Sequence, residues 1–381
     1  MIASAQDQSI IEAVPNFSEG RDQAIIRQIT DAMALDKDGR LREGMRILHV
    51  DSGIAANRTV VTLAGSPDAV TEALFEGIRK ATELIDMRRQ QGVHPRLGAT
   101  DVCPLIPLQH VSMQQTVQLA RKLARRVGED LQIPVFLYEA ARLREERKRL
   151  ATIRKGEFEG LAQKIQDVAW QPDYGPAIPH PTAGAIVIGA RPFLIAFNVH
   201  LDTSDVQIAK TIAKAVRDTG RPEHSSTNSS NPVNQQAGLA GLRAIGWYVE
   251  EYGLAQVSMN ITDVVRTPLH LAFESVKQKA SEMGIGVKGS EIIGLVPLAC
   301  LLEAGTFYAR QKGIPADNHH DEESHLKLAI EQLGLHQLHP FEPRQKILEY
   351  VMQQYPDVFS LKSVPLPLAM DVAPGIYPPE E

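Results

Sequence analysis

The order of apolar runs and amphipathic segments most constrains the fold of this 381-residue chain, because one order of elements occurs twice. The first half predicts strands at 9–14, 46–50, 59–63 and 102–108, with helices at 21–33 and 67–87. The second half predicts strands at 193–199, 238–249, 255–262 and 291–296, with helices at 204–217 and from 267 onward. Both halves therefore have the order βαββαβ.

A hydroxyl residue precedes proline where the second helix of each half begins, at Ser66-Pro67 and Thr267-Pro268. Such a pair is typical of a capped helix start. The repeated order predicts an α+β protein with two ferredoxin-like (βαββαβ) α/β sandwich subdomains, extra helices and a C-terminal extension.

The length exceeds what one hydrophobic core normally supports. We therefore expect an N-terminal subdomain at 1–180, a C-terminal subdomain at 181–315 and a helical extension with a proline-rich tail at 316–381. Within the first subdomain, a helix at 112–128, a strand at 134–138 and a charged helical stretch at 140–167 are expected to cover the sheet. The polar segment 224–236 is predicted to be a loop.

Composition excludes several classes of protein. The formal net charge of −6 provides no cationic field for nucleic acid, and no apolar stretch approaches the roughly 20 residues of a membrane span. Without a signal-peptide pattern, the chain is expected to be cytoplasmic. Cys103 and Cys300 lie in apolar runs, so both are expected to be buried and unlinked thiols.

The polar chemistry of the first half gathers in its loops. In a βαββαβ sandwich, the loops after the first strand, the second strand and the second helix share one end of the sheet. These loops span 16–22, 51–58 and 91–101 and contain nearly all the unusual polar residues of this half. We therefore expect a ligand site at this end.

His94 is the sharpest candidate in these loops, because Gly92, Pro95 and Gly98 predict an irregular loop that presents a side chain to a cleft. Arg96 and Asp101 share the loop and offer a guanidinium for an anion and a carboxylate for the imidazole. A lone loop histidine is more often structural.

Other polar residues of these loops also have structural interpretations. Asp51 is equally compatible with a turn that bonds its own backbone, while Asn57 and Arg58 are compatible with a turn and a solvated charge.

The segment 181–198 is predicted to form an apolar hairpin in the second half, with glycines at 184 and 189. Glycine in a strand permits close approach of a flat ligand, although a bulge or tight turn explains it more commonly. No phosphate-loop or dinucleotide signature is present.

Several motifs together resemble the glutamate formimidoyltransferase family. They are VPNFSEGR from 14, VDSGIAANRTV from 50, GVHPRLGATDVCP from 92, IRKGEFEGL from 153 and GAIVIGARPFLIAFN from 184. The resemblance covers roughly residues 9–312, and its most specific part is the histidine loop. It implies two ferredoxin-like subdomains with a ligand groove between them, a homodimer, and tetrahydrofolate as co-substrate rather than a metal cofactor.

The resemblance also implies roles for single residues. His94 falls on the catalytic histidine, and Asp51 falls on a second catalytic polar residue, expected to orient or polarise the reacting centre. The folate-contacting strand falls on Pro181, Thr182, Ala183, Gly184, Ala185, Ile186, Val187, Ile188, Gly189 and Ala190. Further ligand contacts are expected from Asn16, Asn57, Arg58, Arg96 and Asn198, and Arg191 is a third candidate for anchoring a ligand carboxylate.

The activity implied is transfer of the formimidoyl group from N-formimidoyl-L-glutamate to tetrahydrofolate, in histidine degradation and one-carbon metabolism. A histidine with an unperturbed pKa near 6.5 would remove a proton from the attacking amine and return it to the departing glutamate nitrogen. The rate is then expected to rise through a pKa near 6 to 7. No segment resembling a cyclodeaminase domain follows the matched part.

Three alternatives stay open at this point. The donor is equally compatible with N-formylglutamate, and a folate-binding protein without catalysis would keep the same groove. A metal hydrolase built on the histidines and acids of 319–325 is the third alternative, although a polar run that starts a helix is usually solvated.

Overall fold

A computed structural model describes residues 9–218, 238–314 and 322–359. The first sheet contains seven strands. These are β1 (Ile10–Ala13), β2 (Asn16–Phe17), β3 (Met45–Gly53), β4 (Arg58–Gly65), β5 (Thr100–Gln109), β6 (Val135–Glu139) and β7 (Ile186–Ala190). The helices of this part are α1 (Gln23–Ala34), α2 (Pro67–Leu84), α3 (Met113–Asp130), α4 (Leu150–Arg154) and α5 (Glu157–Lys164).

The first ferredoxin-like unit is confirmed. β3, β4, β1 and β5 lie side by side in that order, every neighbouring pair is antiparallel, and β2 continues β1 between β4 and β5. One side chain in two along β1 and β5 faces the helices, as for Ile11, Ala13, Cys103 and Leu105. The alternating side chains, among them Glu12 and Pro104, face away from the helices toward a cavity.

The sheet extends beyond this unit. β7 runs parallel to both β5 and β6, with α3 as the crossover between β5 and β6. The expectation that strand 134–138 covers the sheet is therefore wrong, since this segment forms its edge strand. The charged stretch 140–167 is not one helix. It contains a short 3₁₀ helix followed by the separate helices α4 and α5.

The hairpin expected at 181–198 is also wrong. β7 is buried in the first sheet, and the next strand, Ile195–Leu201, belongs to the second sheet. A continuous apolar run is typical of a parallel strand covered on both faces, which explains the composition of 186–190. The boundary between the sheets thus falls between Ala190 and Ile195, later than the division at 180/181 expected from the sequence.

The second half repeats the fold. Its strands are β8 (Ile195–Leu201), β9 (Leu242–Val249), β10 (Leu254–Ile261) and β11 (Val287–Ile293), and its helices are α6 (Val206–Val216) and α7 (Leu269–Glu282). The strand order β11, β8, β10, β9 is antiparallel throughout and equals that of the first unit. The duplicated ferredoxin-like sandwich is therefore confirmed.

The C-terminal helices are α8 (Leu298–Gln311), α9 (Glu322–Gln332), α10 (Pro343–Lys346) and α11 (Leu348–Met352). α8 and α9 pack together in the core of the second subdomain. Leu348 and Met352 of α11 pack against Ile10 and Leu108 of the first sheet. The described C-terminal helices therefore contact both subdomains.

Helix capping differs from the expectation at both Ser/Thr-Pro pairs. Ser66 occupies the cap position of α2, but its side chain makes no capping hydrogen bond. The Thr267 hydroxyl donates instead to the Ala240 carbonyl oxygen at 2.7 Å. Ser112 forms a complete capping box with Gln115 at the start of α3.

Both cysteines are free and buried, as predicted. Burial raises the pKa of each thiol, so neither is a reactive thiolate. In the described part of the chain, no helix is both long and apolar enough to cross a membrane. The polar segment 224–236 lies outside the described residues.

Candidate active site

A cavity of about 940 Å³ separates the open faces of the two sheets. Its first wall includes Asn16, Asp51, Arg58 and His94, and its second wall includes Asn198, Trp247 and Glu291. The helices cover the opposite face of each sheet, so the polar side chains of alternate strand positions meet across this space. Its volume lies within the range of small-molecule sites.

His94 lies half-buried at the wall of this cavity, in the loop before β5. Its Nδ1 atom is 2.7 Å from the Pro95 carbonyl oxygen, which accepts a hydrogen bond only if Nδ1 carries the proton. The neutral imidazole then has its lone pair on Nε2. The ring meets the Trp247 indole edge to face, with 6.1 Å between the ring centroids.

An ionic cluster lies beside His94. Asp101 is fully buried and accepts hydrogen bonds from Arg58 Nη1 at 2.6 Å and from Arg154 Nε at 3.2 Å. Burial alone would raise the pKa of Asp101, but Arg154 and Arg58 hold it at about 2. Two guanidinium groups face one carboxylate, so the cluster is cationic.

The charge of this cluster affects His94 directly. Burial, followed by the nearby Arg58 and Arg154, lowers the pKa of His94 to about 3. The unperturbed value near 6.5 expected from the sequence does not include these effects. His94 is neutral at physiological pH and available as a proton acceptor.

The strand expected to contact folate is bonded to the histidine loop. Ala99 N donates to the Ala183 carbonyl oxygen at 2.9 Å, and Gly98 and Gly184 form an antiparallel bridge. No residue from Pro181 to Ala190 lines the cavity.

Packing explains both glycines of that strand. A Cβ atom at Gly184 would lie 2.5 Å from the Leu97 carbonyl oxygen, and one at Gly189 would lie 2.4 Å from Tyr138 atoms. Close backbone packing therefore requires glycine at both positions.

Asp51 reaches across to the second subdomain from the end of β3. Its Oδ2 atom accepts hydrogen bonds from Gly294 N at 3.1 Å and Lys346 Nζ at 3.3 Å. It lines the same cavity as His94, but its carboxylate joins the two halves of the protein. These contacts differ from the structural alternative given by the sequence, a turn in which Asp51 bonds its own backbone.

The other expected ligand contacts fall into two groups. Asn16, Arg58 and Asn198 line the cavity, with Asn16 Oδ1 accepting from Arg58 Nε at 3.0 Å. Asn57 does not line it, because its side chain closes the loops through Gly20 N at 2.9 Å and the Gln91 carbonyl oxygen at 2.9 Å.

Arg96 also stays outside the cavity wall. Its guanidinium donates to Gln90 Oε1 at 2.8 Å, to Glu157 Oε2 at 3.0 Å and to Glu159 Oε1 at 2.7 Å. These bonds dock α5 onto the histidine loop and leave Arg96 a positioning role. Arg191, the third arginine considered, does line the cavity.

Sequence reasoning missed Arg154, Glu12, Trp247 and Glu291, all of which line the cavity. Arg154 lies within the family motif IRKGEFEGL, which is the signal that could have identified it. Glu12 interrupts an apolar strand, which is the pattern of a buried polar group. No local pattern distinguishes Trp247 or Glu291, since both join His94 in one cavity only through the packing of two sheets.

Among the described residues, no group of three or more His, Cys, Asp and Glu side chains is placed to hold a metal ion. Of the run 319–325, considered as a metal site, the first three positions lie outside the described residues, and His325 is buried in α9.

Comparison with known proteins gives consistent matches along the chain. Residues 10–191 match the model of the formiminotransferase domain, N-terminal subdomain, and residues 196–353 match the formiminotransferase domain. The junction between these matches coincides with the boundary between the two sheets.

Full-length relatives agree with these matches. A glutamate formimidoyltransferase of Streptococcus pyogenes serotype M1 is 40% identical over 299 residues, covering 78% of this chain and 93% of that protein. One of Thermoplasma acidophilum is 39% identical over 312 residues, with 81% and 95% covered. A formimidoyltransferase-cyclodeaminase of Dictyostelium discoideum is 42% identical over 345 residues, which are 91% of this chain but 60% of that protein. The chain thus spans about three fifths of the bifunctional relatives, and it belongs to the formiminotransferase family.

Proposed function

We propose that this protein transfers the formimidoyl group from N-formimidoyl-L-glutamate to tetrahydrofolate, with His94 moving the proton. The observation that carries the proposal is the neutral His94 imidazole at the cavity wall, its Nδ1 tied to Pro95 and its Nε2 left as acceptor. Two relatives named glutamate formimidoyltransferase, which match this chain over nearly their whole length, support the same reaction.

The reaction requires the transfer of one proton from the attacking amine to the departing glutamate nitrogen. The N5 amine of tetrahydrofolate attacks the formimidoyl carbon, a C–N bond forms, and N5 carries an excess proton in the tetrahedral adduct. Nε2 of His94 accepts this proton and returns it to the glutamate nitrogen as the old C–N bond breaks. The products are 5-formimidoyltetrahydrofolate and glutamate, and no external reductant or metal ion enters the balance.

The cationic cluster favours ligands that carry carboxylates. Both substrates end in carboxylates, and Arg58, Arg154 and Arg191 line the cavity. A bound carboxylate beside Arg58 and Arg154 would offset their effect on His94 and raise its pKa toward a value suited to proton return. Substrate binding would in this way prepare the imidazole for both halves of its role.

Asp51 acts in this proposal as a positioning residue. Its bonds to Gly294 and Lys346 fix the second wall of the cavity relative to the first. Asn16 and Asn198 supply polar contacts to the ligands from facing walls. The family resemblance also motivates a homodimer in the cytoplasm, which light scattering coupled to gel filtration and cell fractionation would test.

The proposal is tested by mixing the purified protein with tetrahydrofolate and N-formimidoyl-L-glutamate and identifying 5-formimidoyltetrahydrofolate by mass spectrometry. Parallel reactions contain N-formyl-L-glutamate or no donor. Product from the formyl donor alone would favour the formyltransferase alternative. Folate binding without any turnover would favour a binding protein.

A further inference from the structure

The cavity wall that faces His94 is organised around the Glu291 carboxylate on β11. Its Oε1 atom accepts hydrogen bonds from Asn198 Nδ2 at 3.0 Å and Gln256 Nε2 at 2.9 Å, and His200 Nε2 lies 3.4 Å away. Burial alone would raise the pKa of Glu291, but hydrogen bonds from His200, Asn198 and Gln256 lower it. The carboxylate is therefore ionised and fixed in orientation.

The second oxygen of this carboxylate is unused by the protein. Within residues 9–218, 238–314 and 322–359, no hydrogen bond reaches Oε2 of Glu291, whereas Oε1 has several partners. The side chain is 24% exposed and lines the cavity. An ionised acceptor that is held in place through one oxygen leaves the other for a ligand.

Glu291 is connected to His94 through two side chains. Trp247 Nε1 donates to Gln256 Oε1, Gln256 bonds Glu291, and the Trp247 ring meets the His94 ring at 6.1 Å. Because the His94 wall carries the cationic Arg58 and Arg154, a cationic group of a ligand is favoured on the Glu291 wall. Glu291 thus presents a carboxylate in the same cavity as this cationic pair.

We propose that Glu291 binds the protonated formimidoyl group of the donor and thereby selects it over a neutral formyl group. This inference rests on the proposed function. An amidine is a strong base, so the formimidoyl group is a cation with N–H donors that match a carboxylate. A formyl amide places an oxygen acceptor at the same position, where its lone pairs would face the carboxylate, so the contact attracts one donor and repels the other.

The test compares Glu291→Gln with the wild type, using N-formimidoyl-L-glutamate as substrate and N-formyl-L-glutamate as alternative substrate or competitive inhibitor. In the wild type, the formimidoyl donor should bind more than tenfold better than the formyl analogue. In Glu291→Gln, KM for the formimidoyl donor should rise about ten- to a hundredfold, the range for losing a charged hydrogen bond. Its kcat should change less than threefold, and binding of the formyl analogue should stay equal or improve.

Glu251→Gln is the matched control, because it removes the same charge from an exposed residue of the cavity rim on the turn between β9 and β10. It should keep the wild-type preference. A preference in Glu291→Gln within threefold of the wild type would overturn the inference. Should that variant unfold on heating far below the wild type, competition of formamidinium against formamide in the wild type replaces it, and equal inhibition by the two would equally overturn it. Absence of turnover in the wild type with any donor would instead contradict the proposed function.

Discussion

The imidazole of His94 and the indole of Trp247 meet edge to face with ring centroids 6.1 Å apart, although they belong to different sheets. Asp51 makes a second link between the sheets through Gly294 and Lys346. The histidine loop and the opposing wall therefore form one site only when the two subdomains are docked. The C-terminal helix α11 packs on the first sheet, although none of its side chains lines the cavity.

The first prediction concerns His94→Gln, which keeps a hydrogen-bonding amide but removes titration. Turnover should fall by about 10²- to 10⁴-fold, the usual cost of losing a general acid-base group. Folate affinity should change less than tenfold, since the arginines and cavity walls hold the ligands. Steady-state kinetics with both substrates saturating measures this, and a variant that keeps more than a third of the wild-type rate would show that His94 is structural.

The second prediction concerns the pH dependence of kcat/KM, which reports the free enzyme. Because the pKa of His94 is lowered to about 3, the imidazole is already neutral throughout the range from pH 5 to 8. Histidine protonation should therefore produce no limb of kcat/KM in that range. A limb near 6 to 7 that disappears in His94→Gln would restore the expectation from the sequence.

The third prediction separates the causes of that low pKa. Arg154→Met removes one of the two cations beside His94, so the pKa of His94 should rise from about 3. Titration of the imidazole by NMR in the unliganded protein measures the change. Arg144→Met is the control, since the Arg144 guanidinium donates to the carbonyl oxygens of Val168 and Ala169 and Arg144 does not line the cavity. Equal pKa values in both variants would contradict the assignment.

Much of the fold was predictable because hydrophobic periodicity is local. The repeated βαββαβ order and the buried cysteines follow from residues close in sequence. The position of β7 was not predictable in this way, because an apolar run such as 186–190 fits either sheet until its partners β5 and β6 are known. The sequence also predicted that Ser66 and Thr267 cap helices. The Ser66 side chain makes no capping hydrogen bond, and the Thr267 hydroxyl bonds the Ala240 carbonyl oxygen, a tertiary partner that local sequence does not reveal.

The sequence predicted which loops lie at the cavity, but it did not predict the contacts that individual side chains make. The loops converge at one end of the sheet, and His94, Arg58 and Asn16 line the cavity there. Arg96 has the same local signature as Arg58, but its charge is used by Glu157 and Glu159, more than 60 residues away along the chain. The pKa of His94 likewise depends on Arg154, which the loop sequence alone does not reveal.

The fourth prediction concerns Glu12, a cavity-lining carboxyl that is 2% exposed. Burial raises the pKa of Glu12 from 4.5 to about 8, with Arg191 opposing and Glu349 adding to the shift. Between these two values the folded state binds more protons than the unfolded state, so Glu12 lowers stability as pH rises through that window. Each pKa unit corresponds to ~1.4 kcal/mol.

Glu12→Gln should therefore be more stable than the wild type at pH 8.5, and the gain should shrink toward pH 5. Thermal unfolding at both pH values measures this difference. The exposed Glu251→Gln should show no such pH-dependent gain. A constant difference between Glu12→Gln and the wild type at both pH values would contradict a raised pKa for Glu12.

The last prediction tests how the histidine loop is held, using two glycines in different surroundings. A Cβ atom at Gly98 would lie 2.0 Å from the Ala185 carbonyl oxygen and 2.4 Å from that of Ala183. Gly98→Ala must therefore separate the loop from the segment that braces it, and we expect a loss of stability of about 1–3 kcal/mol, typical of overpacking. Because His94 moves with this loop, kcat should fall at least tenfold even at temperatures where the variant is folded, since small misplacements are costly for catalysis.

Gly160→Ala is the matched control, because Gly160 lies within α5 and a Cβ atom there would meet nothing within 4 Å. Alanine in a helix should stabilise this variant by up to ~1 kcal/mol and leave kcat unchanged. If Gly98→Ala keeps the wild-type kcat, contact with the segment at Ala183 and Ala185 does not position His94. The substitution would then affect only the stability of the protein.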